Sequence, residues 1–257
     1  MNKEYTITLR ENLRINPSTH WLSFYCPDIA CQSMPGQFVS ISSNQFLKRP
    51  FGIAQVDKDK GTFSIGVRVV KDGTRYLTTA PIGTEFEVLG PLGHGFPIHC
   101  DQPLLLVGGG TGIFPLRFLQ NYAQENDIPY YSVNGFRCVD DACFIDSELT
   151  DNCLVATDAG DFGVKGNVLD ALDTIPFEKI RDSVVCAVGP EIMMKNVALW
   201  AESKGLVCYV SLEKRMACGI GICLVCTCKT KSDKDPGYEN KRCCKDGPVF
   251  LSTEVIW

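Results

Sequence analysis

No uninterrupted apolar run in this 257-residue chain approaches the roughly 20 residues that a bilayer-crossing helix needs, so no membrane span is expected. Histidine is scarce. The three histidines, His20, His94 and His99, show no spacing with one another or with carboxylates that suggests metal binding, and each is expected to be structural. A basic excess is missing too: 25 Lys and Arg face 30 Asp and Glu, a net charge of -5, so nothing points to nucleic acid as a partner. There are no internal repeats and no long low-complexity tract. The opening Met1-Asn2-Lys3-Glu4 carries charge where a secretory signal would need an apolar run.

What the chain has in quantity is cysteine, 14 residues, enough in principle for seven disulfides. Without an export signal, the expectation is a reducing cytoplasm with most thiols free. Apolar residues at 45% and charged residues at 21% are ordinary for a globular protein. The length is near the point where one core divides, which predicts two compact domains and a small appendage.

Three of the cysteines lie in Cys218-Gly-Ile-Gly-Ile-Cys223-Leu-Val-Cys226. This C-x4-C-x2-C run is the plant-type spacing for a [2Fe-2S] cluster, in which one tight loop aims three thiolates at a common target. Gly219 and Gly221 suit such a loop, because residues without a Cβ reach unusual backbone angles and bring N–H groups close to sulfur. A zinc site is the alternative, but zinc knuckles usually show two short C-x2-C-type pairs. For the fourth ligand the residues leave Cys243, Cys244 and Cys228 open.

From Tyr5 to about residue 97 the chain is a series of short alternating runs, such as Tyr5-Thr-Ile-Thr-Leu9 and Glu85-Phe-Glu-Val-Leu89, broken by turn signals. That pattern predicts an antiparallel barrel or sandwich over 1–97. The continuous apolar run Pro103-Leu-Leu-Leu-Val107 reads as a strand covered on both faces. Further buried strands are expected at Tyr130–Val133, Cys153–Ala156 and Val184–Val188, with helical stretches between them such as Pro190–Lys204. Alternation of this kind predicts a doubly wound parallel sheet over 98–210. The remainder, 211–257, is too short to build a core easily, so a metal cluster is expected to staple it.

Two groups of residues suggest cofactor sites. Arg49-Pro50-Phe51-Gly52 lies between strand-like runs and offers a planar multi-donor cation suited to phosphate. Gly66-Val67-Arg68 and Gly73-Thr74 add a second cation, permissive backbone and a hydroxyl; an ordinary surface turn is the competing explanation. Gly108-Gly109-Gly110-Thr111-Gly112 links a buried strand to a helix, as a pyrophosphate-binding turn does, although it is not G-x-G-x-x-G. Thr157-Asp158-Ala-Gly160-Asp161-Phe-Gly163 is a second glycine-rich strand end, either bordering a nucleotide crevice or forming a plain turn.

Taken in order, these phrases resemble the ferredoxin–NADP reductase superfamily and, within it, the electron-transfer subunits of type B dihydroorotate dehydrogenases. The most specific are Leu212-Glu-Lys-Arg-Met-Ala-Cys218-Gly-Ile-Gly-Ile-Cys223 and Cys244-Lys-Asp-Gly-Pro-Val-Phe. The resemblance implies FAD binding by Arg49, Pro50, Phe51 and Gly52, with Gly52 where serine is usual, and by Gly66, Val67, Arg68, Gly73 and Thr74. It implies a pyridine-nucleotide site at Gly108 to Gly112, with NAD favoured, and Val188 where a cysteine is usual. It assigns the cluster ligands to Cys218, Cys223, Cys226 and Cys244, and needs no catalytic acid or base. It also implies a partner, an FMN-containing dihydroorotate dehydrogenase catalytic subunit, in a hetero-oligomer. A flavin and iron–sulfur subunit serving ferredoxin or a sulfur-reducing partner, and a zinc-stapled adaptor, are the rival readings.

Overall fold

The computed structural model describes residues 3–99, 101–144 and 152–257. Six antiparallel strands come first: β1 (Lys3–Asn16), β2 (Thr19–Tyr25), β3 (Phe38–Ile41), β4 (Arg49–Asp57), β5 (Thr62–Arg68) and β6 (Glu85–Leu92). They close into a barrel in the order β1-β2-β5-β4-β3-β6. The period-two pattern produces this directly. On β6, Phe86 and Val88 point into the barrel while Glu85 and Glu87 face water. Ile7, Leu22, Phe24, Ile53 and Ile65 complete the interior, where the Phe24 and Phe63 rings stack at 5.6 Å. Short helices α1 (Pro27–Gln32) and α2 (Asp72–Thr79) lie in the connections.

One local expectation changes. Arg49-Pro50-Phe51-Gly52 is not a turn but the first four residues of β4, paired with Ile41, Ser40, Val39 and Phe38. Proline is tolerated there because pairing to β5 begins only at Ile53, so the strand has a neighbour on one side alone.

The second unit is a parallel sheet of β7 (Leu104–Gly109), β8 (Tyr130–Phe136), β9 (Cys153–Thr157), β10 (Val164–Lys165), β11 (Val184–Val188) and β12 (Cys208–Ser211). Helices α3 (Ile113–Glu125), α4 (Val168–Leu172) and α5 (Glu191–Ser203) connect them. Every residue of β7 and β11 is buried, as a sheet covered on both faces requires. The order β10-β9-β8-β7-β11-β12 reverses direction between β7 and β11, which opens a crevice at their carboxyl ends.

The C-terminal segment adds a hairpin, β13 (Thr227–Lys231) with β14 (Tyr238–Arg242), and then β15 (Val249–Leu251). Strand β15 pairs antiparallel with β12 and becomes the seventh strand of the parallel sheet. Phe250, Val255, Cys226, Cys228, Cys243 and Cys244 share one apolar core with Met194, Val197 and Ala201 of α5. The segment is therefore anchored by borrowed core as well as by any metal, where a metal staple was expected. Among the described residues no helix is long and apolar enough to cross a membrane.

Phe250 is the largest side chain that the C-terminal strand commits to this core. Replacing it with alanine is expected to cost about 3–5 kcal/mol, read as a lower denaturant midpoint with an unchanged slope.

Candidate functional site

Barrel and sheet meet where the start of α3 lies against two glycines. A Cβ on Gly66 would sit 2.1 Å from the Phe114 ring, and one on Gly52 would sit 2.5 Å from Pro115 Cγ. Both positions must therefore lack a side chain for the two units to close. This accounts for Gly52 where the resemblance expects serine: a serine Cβ would collide with Pro115. Beside this contact is a cavity of about 470 Å3, bordered by Pro50, Phe51, Gly52, Gly66 and Arg68 from the barrel. Thr111, Phe114 and Val188 border it from the sheet, and Glu213, Lys214 and Cys243 from the C-terminal segment.

The remaining barrel candidates lie apart from this cavity. Arg49 reaches the start of α2, where a Cβ on Gly73 would be 2.8 Å from the Arg49 Nε and 3.3 Å from the Ser43 Oγ. A cation and a helix N-terminus thus adjoin, an arrangement suited to a phosphate. Thr74 is structural here: its Oγ1 accepts from the Val70 N–H at 2.9 Å and donates to the Lys71 carbonyl at 2.9 Å. The Val67 side chain points into the barrel core, so only its backbone is available to a ligand.

The glycine-rich turn divides its labour. Gly109, Gly110 and Thr111 border a second cavity of about 430 Å3 over the carboxyl ends of β7, β8 and β9. Gly108 and Gly112 serve packing: a Cβ would lie 2.6 Å from the Asn134 Oδ1 at the first and 2.1 Å from the Val188 carbonyl oxygen at the second. Gly110 has φ +54°, in the left-handed region. Asp158, from the second glycine-rich strand end, borders the cavity together with Arg137 and Asn167. Arg68 and Thr111 border both cavities, and Arg68 reaches Asp141 at 3.2 Å, an ion pair that joins barrel to sheet.

Four of the candidate cysteines come together as two sulfur pairs. Cys218 and Cys223 adjoin, with the Cys223 N–H donating to the Cys218 Sγ at 3.4 Å. Burial opposes ionisation of Cys218, yet N–H donors from Cys223, Ile220 and Ile222 outweigh it and bring its thiol down to about 6. Gly219 and Gly221, at φ +70° and +82°, let the loop aim those amides inward. Cys226 and Cys244 form the second pair; burial, and then the contact with Cys226, push Cys244 up to about 12. Cys243 turns instead to Cys228. Among the described residues no three metal-ligating side chains converge on one point, as a single ion would require. Two pairs of cysteine sulfurs are the number of donors that a two-iron cluster would take.

Sequence reasoning missed Phe114, Pro115, Glu213 and Lys214 around the first cavity, which Cys243, weighed there only as a cluster ligand, also borders, and Arg137, Asp141, Cys143 and Asn167 around the second. The phrase Leu212-Glu-Lys-Arg-Met was the available signal for Glu213 and Lys214. The others carry no motif and meet only through folding. His20 accords with a structural role, its Nδ1 lying 2.8 Å from the Asn12 Oδ1.

Residues 6–96 match the oxidoreductase FAD-binding domain, and residues 213–256 match the iron-sulfur cluster binding domain of dihydroorotate dehydrogenase B. Among solved structures, the chain is similar to one from an NADH-dependent reduced ferredoxin-NADP oxidoreductase studied for flavin-based electron bifurcation. That match has a TM-score of 0.86 and 32% identity, covering 98% of this chain and 90% of the other. A ferredoxin reductase of carbazole 1,9a-dioxygenase shares the fold at 19% identity and TM-score 0.68, covering 80% of this chain and 67% of its own. The dihydroorotate dehydrogenase B (NAD(+)) electron transfer subunit of Clostridium perfringens is 41% identical over 86% of each chain. Its counterpart in Clostridium acetobutylicum is 34% identical, over 100% of this chain and 99% of the relative. With similarity running end to end over a fold of barrel, nucleotide sheet and cysteine loop, the chain belongs to the family of dihydroorotate dehydrogenase B electron transfer subunits.

Proposed function

We propose that this chain carries electrons from an FMN-containing dihydroorotate dehydrogenase catalytic subunit, through a [2Fe-2S] cluster and FAD, to NAD+ in pyrimidine biosynthesis. The observation that carries the reading is the continuous arrangement of the two cavities and the sulfur pairs. The first cavity reaches Thr111 and Arg68 on the nucleotide side and Cys243, next in chain to Cys244, on the other. Residues 1–97 are the flavin unit, 98–210 the nucleotide unit and 211–257 the cluster unit.

When bound, FAD supplies the exchange between two-electron hydride chemistry and single-electron transfer. The chain's own residues bind and orient. Arg49 and the N-terminus of α2 would hold the pyrophosphate, and Gly73 leaves room for the Arg49 side chain. Pro50, Phe51, Gly52, Gly66 and Arg68 border the flavin cavity, with Val67 contributing backbone and Thr74 holding the start of α2 in shape. Gly109, Gly110 and Thr111 take the dinucleotide, while Gly108 and Gly112 let the turn pack closely enough to present them. Cys218, Cys223, Cys226 and Cys244 would hold the cluster. No acid or base among these residues is required, because the chemistry is placement and potential.

The cluster loop is also the docking surface for the catalytic subunit in a hetero-oligomer. Ile222, Leu224 and Val225, on either side of Cys223 and up to 75% exposed, offer apolar area that a partner would bury. The working compartment is the cytoplasm, in keeping with buried thiols such as Cys26, Cys186 and Cys208 that form no disulfide. A second reading, electron exchange between NAD(P)H and ferredoxin, draws on the likeness to the ferredoxin-NADP oxidoreductase chain. Copurification with an FMN protein that oxidises dihydroorotate supports the first reading, and NADPH-dependent ferredoxin reduction without such a partner supports the second.

Arg49→Ala removes a charge-assisted contact worth about 1.5–3 kcal/mol, so FAD affinity should fall about 10- to 150-fold in a fluorescence titration, with iron content intact. Cys223→Ser should abolish the iron–sulfur absorption and the dihydroorotate-dependent reduction of NAD+ by the complex, while NADH-dependent dye reduction persists. Full iron content and full partner turnover in that variant would contradict the ligand assignment.

A further inference from the structure

Arg242 closes β14 immediately before Cys243 and Cys244, and each of its three guanidinium nitrogens donates a hydrogen bond. Nε and Nη2 donate to the two Asp246 carboxylate oxygens at 2.8 and 3.0 Å, a bidentate clamp across the turn that carries Cys244. Nη1 donates to the Gly221 carbonyl oxygen at 2.9 Å, in the middle of the loop that carries Cys218 and Cys223. Within the same loop the Cys223 N–H donates to the Cys218 Sγ at 3.4 Å. A cation therefore pins the middle of the loop whose amide faces a ligand sulfur.

We propose that Arg242 is a positioning residue that raises the reduction potential of the cluster, through the fixed charge that it holds between the Gly221 carbonyl and the Asp246 carboxylate, beside the ligand cysteines. The guanidinium also pins the loop in which the Cys223 N–H donates to the Cys218 Sγ. Hydrogen bonds to cluster sulfurs and nearby net charge both set the potential. Reduction adds one negative charge to the cluster, and a fixed cation favours that state. Asp246 holds the cation in place and offsets part of its charge. The inference rests on the assignment of Cys218, Cys223, Cys226 and Cys244 as ligands.

The test is an EPR-monitored anaerobic redox titration of the whole chain with FAD bound, alongside iron and sulfide analysis, for the parent protein, Arg242→Gln, Arg242→Lys and Asp246→Asn. Arg242→Gln should make the cluster harder to reduce, Arg242→Lys should recover part of the loss, and Asp246→Asn should make it easier to reduce. The flavin potential should be unchanged throughout. Opposite signs for Arg242→Gln and Asp246→Asn separate an electrostatic role from simple loosening of the loop, which would move both variants alike. Unchanged midpoints at full iron content, or shifts of the same sign, overturn the proposal. If Arg242→Gln fails to load iron, the Lys and Asn variants decide by the same signs. A parent protein without two irons and two sulfides per chain overturns the ligand assignment itself, and the proposal with it.

Discussion

The seating of Phe114 and Pro115 on two bare backbone positions, Gly66 and Gly52, determines how the barrel and the sheet meet. Both side chains are at the start of α3, directly after the glycine turn, so the segment that borders the second cavity runs straight into the residues that pack against the barrel. Little freedom remains there. Phe114 is 2% exposed, and any side chain on either glycine would push the units apart. In this chain the bare backbone at 52 and 66 is thus matched to the bulk at 115 and 114. A proline ring fills the volume beside Gly52, and the barrel strand accommodates it by losing a side chain.

The same contact fixes the relation between the two cavities. Because Thr111 and Arg68 border both, any tilt of the sheet on the barrel changes each cavity together. The Arg68 and Asp141 ion pair crosses this joint with Arg68 39% exposed, so its energetic weight is small and its value is in direction. The third side of the flavin cavity comes from the C-terminal segment, which is held by strand pairing to β12 and by a core shared with α5. A sheet edge, rather than a hinge, therefore carries the cysteines.

Much of this was legible in the residues. Alternation in the first third is a local property and identifies the barrel strands, and the fully apolar β7 and β11 could belong only to a covered sheet. The loop of three cysteines has its meaning written in its spacing. Arg49 to Gly52 was misread as a turn because proline and glycine are turn signals in sequence, and only the one-sided pairing of β4 excuses them. Strand β15 was invisible as sheet, since three residues carry no period and their partner, β12, is nearly forty residues upstream. Gly108 and Gly112 looked like ligand positions because a glycine in a phosphate turn and a glycine under a packed carbonyl read alike.

The fourth ligand shows where sequence runs out and geometry continues. Cys243 and Cys244 are neighbours in the chain and equally buried, so neither spacing nor hydropathy separates them. Adjacent residues leave the backbone on different sides, and here the sides differ in partner: Cys244 adjoins Cys226, and Cys243 adjoins Cys228. The Cys243 N–H donates to the Cys226 carbonyl oxygen at 2.9 Å, which fixes the register and prevents the two from exchanging roles by a one-residue slip. Cys243 consequently borders the flavin cavity while Cys244 joins the sulfur pairs. A single peptide bond then separates the residue on the cavity from the residue in the sulfur pairs, and the register of the β13 and β14 hairpin fixes which is which.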